Sequence, residues 1–83
     1  MIQLEILTPD AKVYSGEATG VNLPGSAGAF EVLTNHAALI STLDKGKVVV
    51  RNAGGKEDVF VIDGGLVEVL HNKVIVLAEA VIA

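Results

Sequence analysis

The sequence predicts an all-β fold, a two-layer antiparallel β-sandwich of about 8–10 short strands. Apolar and polar residues alternate over short segments, and turn-forming residues interrupt these segments about every ten residues. The composition agrees, since valine and isoleucine are frequent and nine of the 83 residues are glycine. A chain of this length has room for one hydrophobic core, so we expect a single domain over residues 1–83.

The N-terminal half begins with the clearest strand pattern. Ile2, Leu4 and Ile6 alternate with polar residues, which indicates a strand with one buried face, and Thr8-Pro9-Asp10 follows as a turn. The next strands are predicted over residues 12–17, 18–23 and 30–33, with a break at Thr34-Asn35-His36 and a new strand from Leu39. Ala37, Ile40 and Leu43 would also share one face of a short helix, but a strand is favoured here.

The C-terminal half contains three turn signals in which glycine or asparagine can adopt a positive φ. They are Asp44-Lys45-Gly46, Ala53-Gly54-Gly55 and His71-Asn72, and each is predicted to be a hairpin-type connection. Strands are predicted between them over residues 47–52, 56–63, 66–70 and 73–80. Residues 76–83 also have a helical composition, so both alternatives stay open for that segment.

Three runs are apolar at every position, namely Val48-Val49-Val50, Val59-Phe60-Val61-Ile62 and Val74-Ile75-Val76-Leu77. A strand of this kind has two apolar faces, whereas a small two-layer sandwich buries only the inner one. The alternative is that the outward valines are ordinary strand formers scattered on the surface. We expect instead an extensive apolar surface that a partner covers.

The charge balance excludes several classes of function. Ten acidic and six basic residues give a net charge of −4, without a cluster of lysine or arginine. Phosphate backbones and anionic headgroups repel such a chain, so neither nucleic-acid binding nor lipid-surface binding is expected. The longest apolar run, residues 74–83, contains Glu79 and is too short to cross a bilayer, so we expect no direct insertion into lipid.

No combination of residues predicts an active site. His36 and His71 have no nearby nucleophile with an orienting acid, and their spacing is not that of metal ligands. The segment Pro24-Gly25-Ser26-Ala27-Gly28 lacks the Gly-Lys-Ser/Thr ending of a phosphate-binding loop. We therefore expect no catalytic, cofactor-binding or metal-binding residue. The two glycines are expected to permit a tight, exposed loop.

Lys45 supports one competing hypothesis. At the tip of a hairpin it would resemble the modified lysine of lipoyl or biotinyl carrier domains, which are also small, acidic and all-β. Those domains present the lysine as Asp-Lys-Ala, whereas here Gly46 follows. The alternative function is therefore a carrier domain with Lys45 as the modified residue.

Several short segments occur in a specific order and spacing along nearly the whole chain. They are Thr8-Pro9, Val13-Tyr14-Ser15-Gly16, the glycine loop, His36-Ala37, Leu39-Ile40, Gly46 and Gly64-Gly65. Together they resemble the N-terminal β-sandwich of the epsilon subunit of the F-type ATP synthase. That family usually has proline, glycine and proline where this chain has Thr34, Asn35 and Ala38, so the local loop geometry is expected to differ.

The resemblance implies a non-catalytic rotor subunit at the foot of the central stalk, bound to the gamma subunit and to the ring of c subunits. Five loop residues would face the polar loops of the c ring: Gly25, Ser26, Ala27, Gly28 and Ala29. His36 and Ala37 would lie against gamma, and the outward apolar strands would supply that contact. The resemblance also implies a peripheral location on the cytoplasmic face of a bacterial inner membrane, within a hetero-oligomeric complex.

Members of this family commonly continue into a two-helix hairpin that can inhibit ATP hydrolysis. This chain ends at Ala83, about where the sandwich is expected to end. The chain is therefore either a naturally short form that lacks the helical hairpin, which we expect, or a truncated form, and in the short form any inhibition would be carried by another subunit.

Overall fold

The computed structural model describes residues 1–83 and contains six β-strands. They are β1 (Ile2–Leu7), β2 (Lys12–Leu23), β3 (Phe30–Leu33), β4 (Leu39–Asn52), β5 (Glu57–Leu70) and β6 (Lys73–Ala78). The two segments with helical alternatives are not helical, because residues 39–43 belong to β4 and Val81 forms a β-bridge to Ile62. No helix of the length and apolarity needed to cross a membrane is present.

The strands form one sheet that closes on itself. The order is β1-β6-β5-β4-β2-β3, and β1 also pairs with β2, so five strands complete a circuit and β3 is added at β2. All pairings are antiparallel except that of β1 with β6, which is parallel. The expectation of a purely antiparallel sheet was wrong for this one pair. The all-β sandwich class itself is confirmed.

The predicted count of about 8–10 strands was wrong, since three pairs of predicted strands are single long strands. Residues 12–17 and 18–23 form β2, residues 47–52 continue the strand that starts at Leu39, and residues 66–70 continue β5. The predicted hairpin at Asp44-Lys45-Gly46 lies inside β4, so that prediction was also wrong. The turn-forming residues at these places bend the strands without ending them.

The bend in β4 and β5 is indicated by a change, along each strand, in which face of the strand is buried. In β4 the buried side passes from Leu43 to Val48, and in β5 it passes from Ile62 to Val67. The two positions of each pair differ by an odd offset, from 43 to 48 and from 62 to 67, so the inner face changes side within the strand. Gly64 and Gly65 have φ values of 107° and 156° at this place. Bends of this kind form the corners at which strands change layers in a sandwich.

Two predicted hairpin turns are confirmed. Ala53-Gly54-Gly55 connects β4 to β5, with Gly55 at φ 81°. His71 and Asn72 connect β5 to β6 with φ values of 49° and 61°, the pattern of a type I′ turn. Because that turn has the twist of the flanking strands, it sets the register in which Leu70 pairs with Lys73.

The core lies between the layers and consists of 16 buried apolar residues. Ile2, Leu4 and Ile6 of β1 contribute as the alternation predicted. No polar or charged residue is buried, and no buried side-chain nitrogen or oxygen lacks a hydrogen-bond partner. The interior is therefore a purely apolar contact between layers, and specific polar chemistry is confined to the surface.

Candidate interaction surfaces

The glycine loop between β2 and β3 is tight and mostly exposed. Gly25 is buried, and a Cβ atom there would lie 2.6 Å from the Gly28 carbonyl oxygen and 2.8 Å from the Phe30 ring. Gly28 has φ 132°, and its amide donates to the Gly25 carbonyl at 3.0 Å. Gly25 thus permits the close turn, and the surface that the loop presents consists of Ser26, Ala27, Gly28 and Ala29.

The start of this loop is attached to the middle of β4. Gly25 forms a β-bridge with Leu43, the Ser26 amide donates to the Thr42 carbonyl at 3.0 Å, and the Asp44 amide donates to the Pro24 carbonyl at 2.8 Å. The Thr42 hydroxyl donates to the Ser26 hydroxyl at 2.9 Å, which donates to the Asp44 carboxylate at 3.0 Å. Thr42 and Asp44 were not predicted as loop contacts, because the composition of residues 44–46 indicates a hairpin turn.

His36 and Ala37 lie on the segment between β3 and β4. The His36 amide donates to the Leu33 carbonyl at 3.2 Å, and the His36 Nδ1 atom lies 2.7 Å from the Ala37 carbonyl oxygen. Because a carbonyl oxygen only accepts hydrogen bonds, Nδ1 is the donor in this contact. His36 is half-buried and Ala37 is exposed, so both are accessible to a partner.

A pair of asparagines joins this segment to the β5–β6 turn. The Asn35 amide donates to the Asn72 side-chain oxygen at 2.6 Å, and the Asn72 side-chain nitrogen donates to the Asn35 side-chain oxygen at 3.1 Å. Both histidines therefore line one open cavity of about 320 Å³. Its lining residues are Asn35, His36, Ala38, Leu70, His71 and Asn72. No group of three or more metal-ligating side chains is assembled anywhere in the chain.

One outer surface next to this cavity is apolar. Ile40 is 68% exposed, and Leu70 and Leu77 are each 47% exposed. Ile40 and Ile75 both pair with Glu68, one from each side, and Leu66 pairs with Leu77, so these residues share one face of the sheet. We call this surface the Ile40 face, which consists of Ile40, Leu66, Leu70, Ile75 and Leu77.

A smaller apolar surface lies on the other layer. Val49 of β4 pairs directly with Val59 of β5, which is 50% exposed. Val61 lies on the same side of β5, and the Ile82 amide donates to its carbonyl at 2.8 Å. We call Val49, Val59, Val61 and Ile82 the Val59 patch.

The three apolar runs are divided between core and surface. Val48, Val50, Ile62, Val74 and Val76 are buried within the chain itself. Val59 and Leu77 are about half exposed, and Val49, Val61 and Ile75 are partly buried. The runs thus supply part of the predicted apolar exterior, while Ile40 and Leu70, which lie outside them, supply much of the rest.

Lys45 is not at the tip of a turn. It lies within β4 and pairs with Asp63 across the β4–β5 ladder. A carrier domain needs its lysine on an exposed turn that can enter the modifying enzyme. Lys45 does not lie on such a turn, so the structure does not support the carrier alternative.

The glycine loop and the His36 segment lie at opposite ends of β3, because one precedes Phe30 and the other follows Leu33. The same two segments flank the first half of β4, since Gly25 bridges Leu43 and Ala38 precedes Leu39. The fold and these surfaces define a small β-sandwich domain with an exposed polar loop and an exposed apolar face that reaches the anchor of the loop, since Leu66 pairs with Thr42.

Comparison with known proteins identifies the family. Residues 1–83 match the family described as the β-sandwich domain of the ATP synthase delta/epsilon chain. The chain therefore belongs to the ATP synthase delta/epsilon family. The epsilon chain of Campylobacter fetus subsp. fetus is 46% identical over 81 residues, which are 98% of this chain and 63% of the relative. That of Chlorobium limicola is 43% identical over 79 residues, which are 95% of this chain and 90% of the relative.

The chain spans about 63% of the length of several curated relatives that it matches, including that of Sulfurimonas denitrificans. Two solved structures share the fold. A chain of the Euglena gracilis mitochondrial ATP synthase OSCP/F1/c-ring structure has a TM-score of 0.92 at 24% identity, over 98% of this chain and 52% of that one. A chain of the Tetrahymena thermophila central stalk and c-ring structure has a TM-score of 0.82 at 14% identity, over 96% and 64% respectively.

Proposed function

We propose that this chain is a non-catalytic subunit of the central stalk of an F-type ATP synthase. In this role it links the gamma subunit to the c ring and supports the coupling of proton translocation to ATP synthesis. The observation that carries the proposal is the family match over residues 1–83, together with curated relatives named ATP synthase epsilon chain.

The Ile40 face supports a contact with gamma next to His36 and Ala37. It adjoins the cavity that His36 lines, because Leu70 belongs to both surfaces. A contact that bears torque needs an apolar, well-packed centre with a polar rim. Lys73 is exposed beside Leu70 and is suited to such a rim, whereas Glu68 lies within the face, between Ile40 and Ile75.

The glycine loop supports a contact with the c ring. Its exposed residues Ser26, Ala27, Gly28 and Ala29 are small and uncharged, so they offer main-chain groups to polar loops of a partner. Because β3 and the first half of β4 connect this loop directly to the His36 segment, the domain acts as a rigid clamp between shaft and ring.

The proposed location is the cytoplasmic face of a bacterial inner membrane. The domain is held there through its protein partners, since its net charge of −4 does not favour anionic lipid. It binds no cofactor in this role.

Co-purification with matched variants tests the gamma contact. A tagged chain is expected to retain gamma and the remaining synthase subunits. Ile40→Glu should reduce recovery of gamma at least tenfold, because it removes the most exposed apolar side chain of the face and places a second carboxylate directly opposite Glu68. Val59→Glu is the control, since Val59 is similarly exposed but lies in the Val59 patch. If Val59→Glu abolishes the contact and Ile40→Glu does not, gamma binds the other layer.

The loop contact is tested by Ala29→Glu in reconstituted membrane vesicles. We expect proton pumping to fall while the melting curve of the domain stays unchanged, because Ala29 is exposed and its backbone makes no special turn. Gly28 is a poorer test, since its φ of 132° makes any side chain a strain on the backbone. Equal loss of pumping and stability would indicate a folding defect.

A further inference from the structure

We infer that Asp44 is a positioning residue that holds the glycine loop in the conformation in which it docks, acting through the Ser26 hydroxyl. The consequence for coupling rests on the proposed function of the loop. The positioning itself rests only on contacts within the chain, so the two can be tested separately.

The direction of the hydrogen bonds makes Asp44 the terminal acceptor of a short series of hydrogen bonds that runs from Thr42 through Ser26. An ionised carboxylate only accepts hydrogen bonds, so the Ser26 hydroxyl must donate to it, at 3.0 Å. The lone pairs of Ser26 are then free to accept from the Thr42 hydroxyl, at 2.9 Å. A hydrogen bond to an ionised acceptor is about twice as strong as a neutral one. The Ser26–Asp44 bond is therefore expected to hold the loop more strongly than the Thr42–Ser26 bond does.

The register of β4 explains why these two side chains reach the loop together. Thr42 and Asp44 lie two residues apart on a strand and flank the buried Leu43, so both project to the outer side. Gly25 bridges Leu43, which places Ser26 beside that outer side. The main chain adds the Ser26–Thr42 and Asp44–Pro24 hydrogen bonds. The start of the loop is therefore fixed at both backbone and side chain.

The rest of the loop depends on this anchor. Ala27, Gly28 and Ala29 are exposed, and the hydrogen bond from the Gly28 amide to the Gly25 carbonyl closes the turn. A loop held in its bound shape loses less conformational entropy when a partner docks on it. Asp44 is thus expected to preorganise a surface that it does not itself form.

Amide hydrogen exchange of the chain, read residue by residue by NMR, tests the positioning. Asp44→Ala should raise the exchange rates of the Ser26 and Gly28 amides roughly tenfold, with core amides such as Val76 unchanged. Asp44→Asn keeps an acceptor oxygen and should restore most of the protection. Asp63→Ala is the control, since Asp63 is an exposed carboxylate on the paired strand outside this chain of hydrogen bonds.

Thr42→Val provides a second variant, because it removes one donor and leaves the Ser26–Asp44 bond intact. A smaller rise at the same two amides is expected. If Asp44→Ala leaves these amides unchanged, or accelerates core amides equally, the positioning role is overturned.

Proton pumping by the reconstituted complex supplies the functional readout. Loss of pumping in Asp44→Ala, restored in Asp44→Asn, is expected. Faster loop exchange with unchanged pumping would support the positioning of the loop and overturn the proposed contact between the loop and the c ring.

Discussion

Gly65 is the position in the chain where a side chain is least tolerable. A Cβ atom there would lie 2.1 Å from the Leu77 carbonyl oxygen and 3.0 Å from the Ala78 Cα atom, and the backbone has φ 156°. Both neighbours belong to the main chain of β6, so they cannot move without disturbing the β5–β6 ladder. The glycine pair therefore permits the bend of β5 and the close approach of β6.

We expect Gly65→Ala to lower the free energy of unfolding by about 3 kcal/mol or more, through strain and displacement of β6. Urea unfolding followed by circular dichroism provides the measurement. Gly16→Ala is the matched control, since its nearest neighbour, the Tyr14 hydroxyl, would lie 3.6 Å away. A change within about 0.5 kcal/mol is expected for that variant. Equal losses would show that the close approach at Gly65 is not the cause.

The turn between β5 and β6 has two structural roles. Its residues His71 and Asn72 supply the positive φ angles of a type I′ turn. Asn72 also binds the Asn35 backbone and side chain, and thus connects the turn to the segment that carries His36. The geometry of the segment that carries His36 therefore depends on a turn that is 37 residues away in the sequence.

Two substitutions separate these two roles. Asn72→Gly keeps the backbone conformation and loses the side-chain bonds, whereas Asn72→Ala loses both. We expect Asn72→Ala to cost about 1–2 kcal/mol of unfolding free energy and Asn72→Gly about half as much. Exchange of the Asn35 amide should accelerate in both variants. An unchanged Asn35 amide would mean that the link to Asn72 does not hold this segment.

The molecule as a whole has apolar side chains on its surface in addition to those that fill its core. The core of 16 residues is filled and has no buried polar group, yet the Ile40 face and the Val59 patch remain outside it. Large exposed apolar patches on a small domain indicate contacts with other proteins. The proposed role as a central-stalk subunit would give these exposed apolar surfaces a physical reason.

The isolated chain is therefore expected to bind a hydrophobic dye or to self-associate. Fluorescence titration and sedimentation measure the two outcomes. Ile40→Glu combined with Leu77→Glu should lower dye binding several-fold, because both residues belong to the larger face. A clean monomer that binds no dye would contradict the assignment of these surfaces to partners.

Alternation of apolar and polar residues was sufficient to locate β1, and the short apolar segment after the glycine loop was sufficient to locate β3, since both patterns are local properties of the sequence. The glycine and asparagine residues predicted the two true hairpins, because few residue types adopt the positive φ that Gly55 and Asn72 have. The order of short segments was sufficient to identify the family. The strands and hairpins depend on residues close together in the chain, and the family signature depends only on the order of segments along it.

The pairing of distant strands decided the rest. Asp44-Lys45-Gly46 and Gly64-Gly65 have the composition of turns, but β4 and β5 pair through them, so both become bends within a continuous ladder. The contact of Ser26 with Asp44 and the contact of Asn35 with Asn72 exist only because that folded ladder brings separate segments together. A turn-forming residue specifies a local backbone angle, whereas its neighbours across the sheet decide whether the strand ends there.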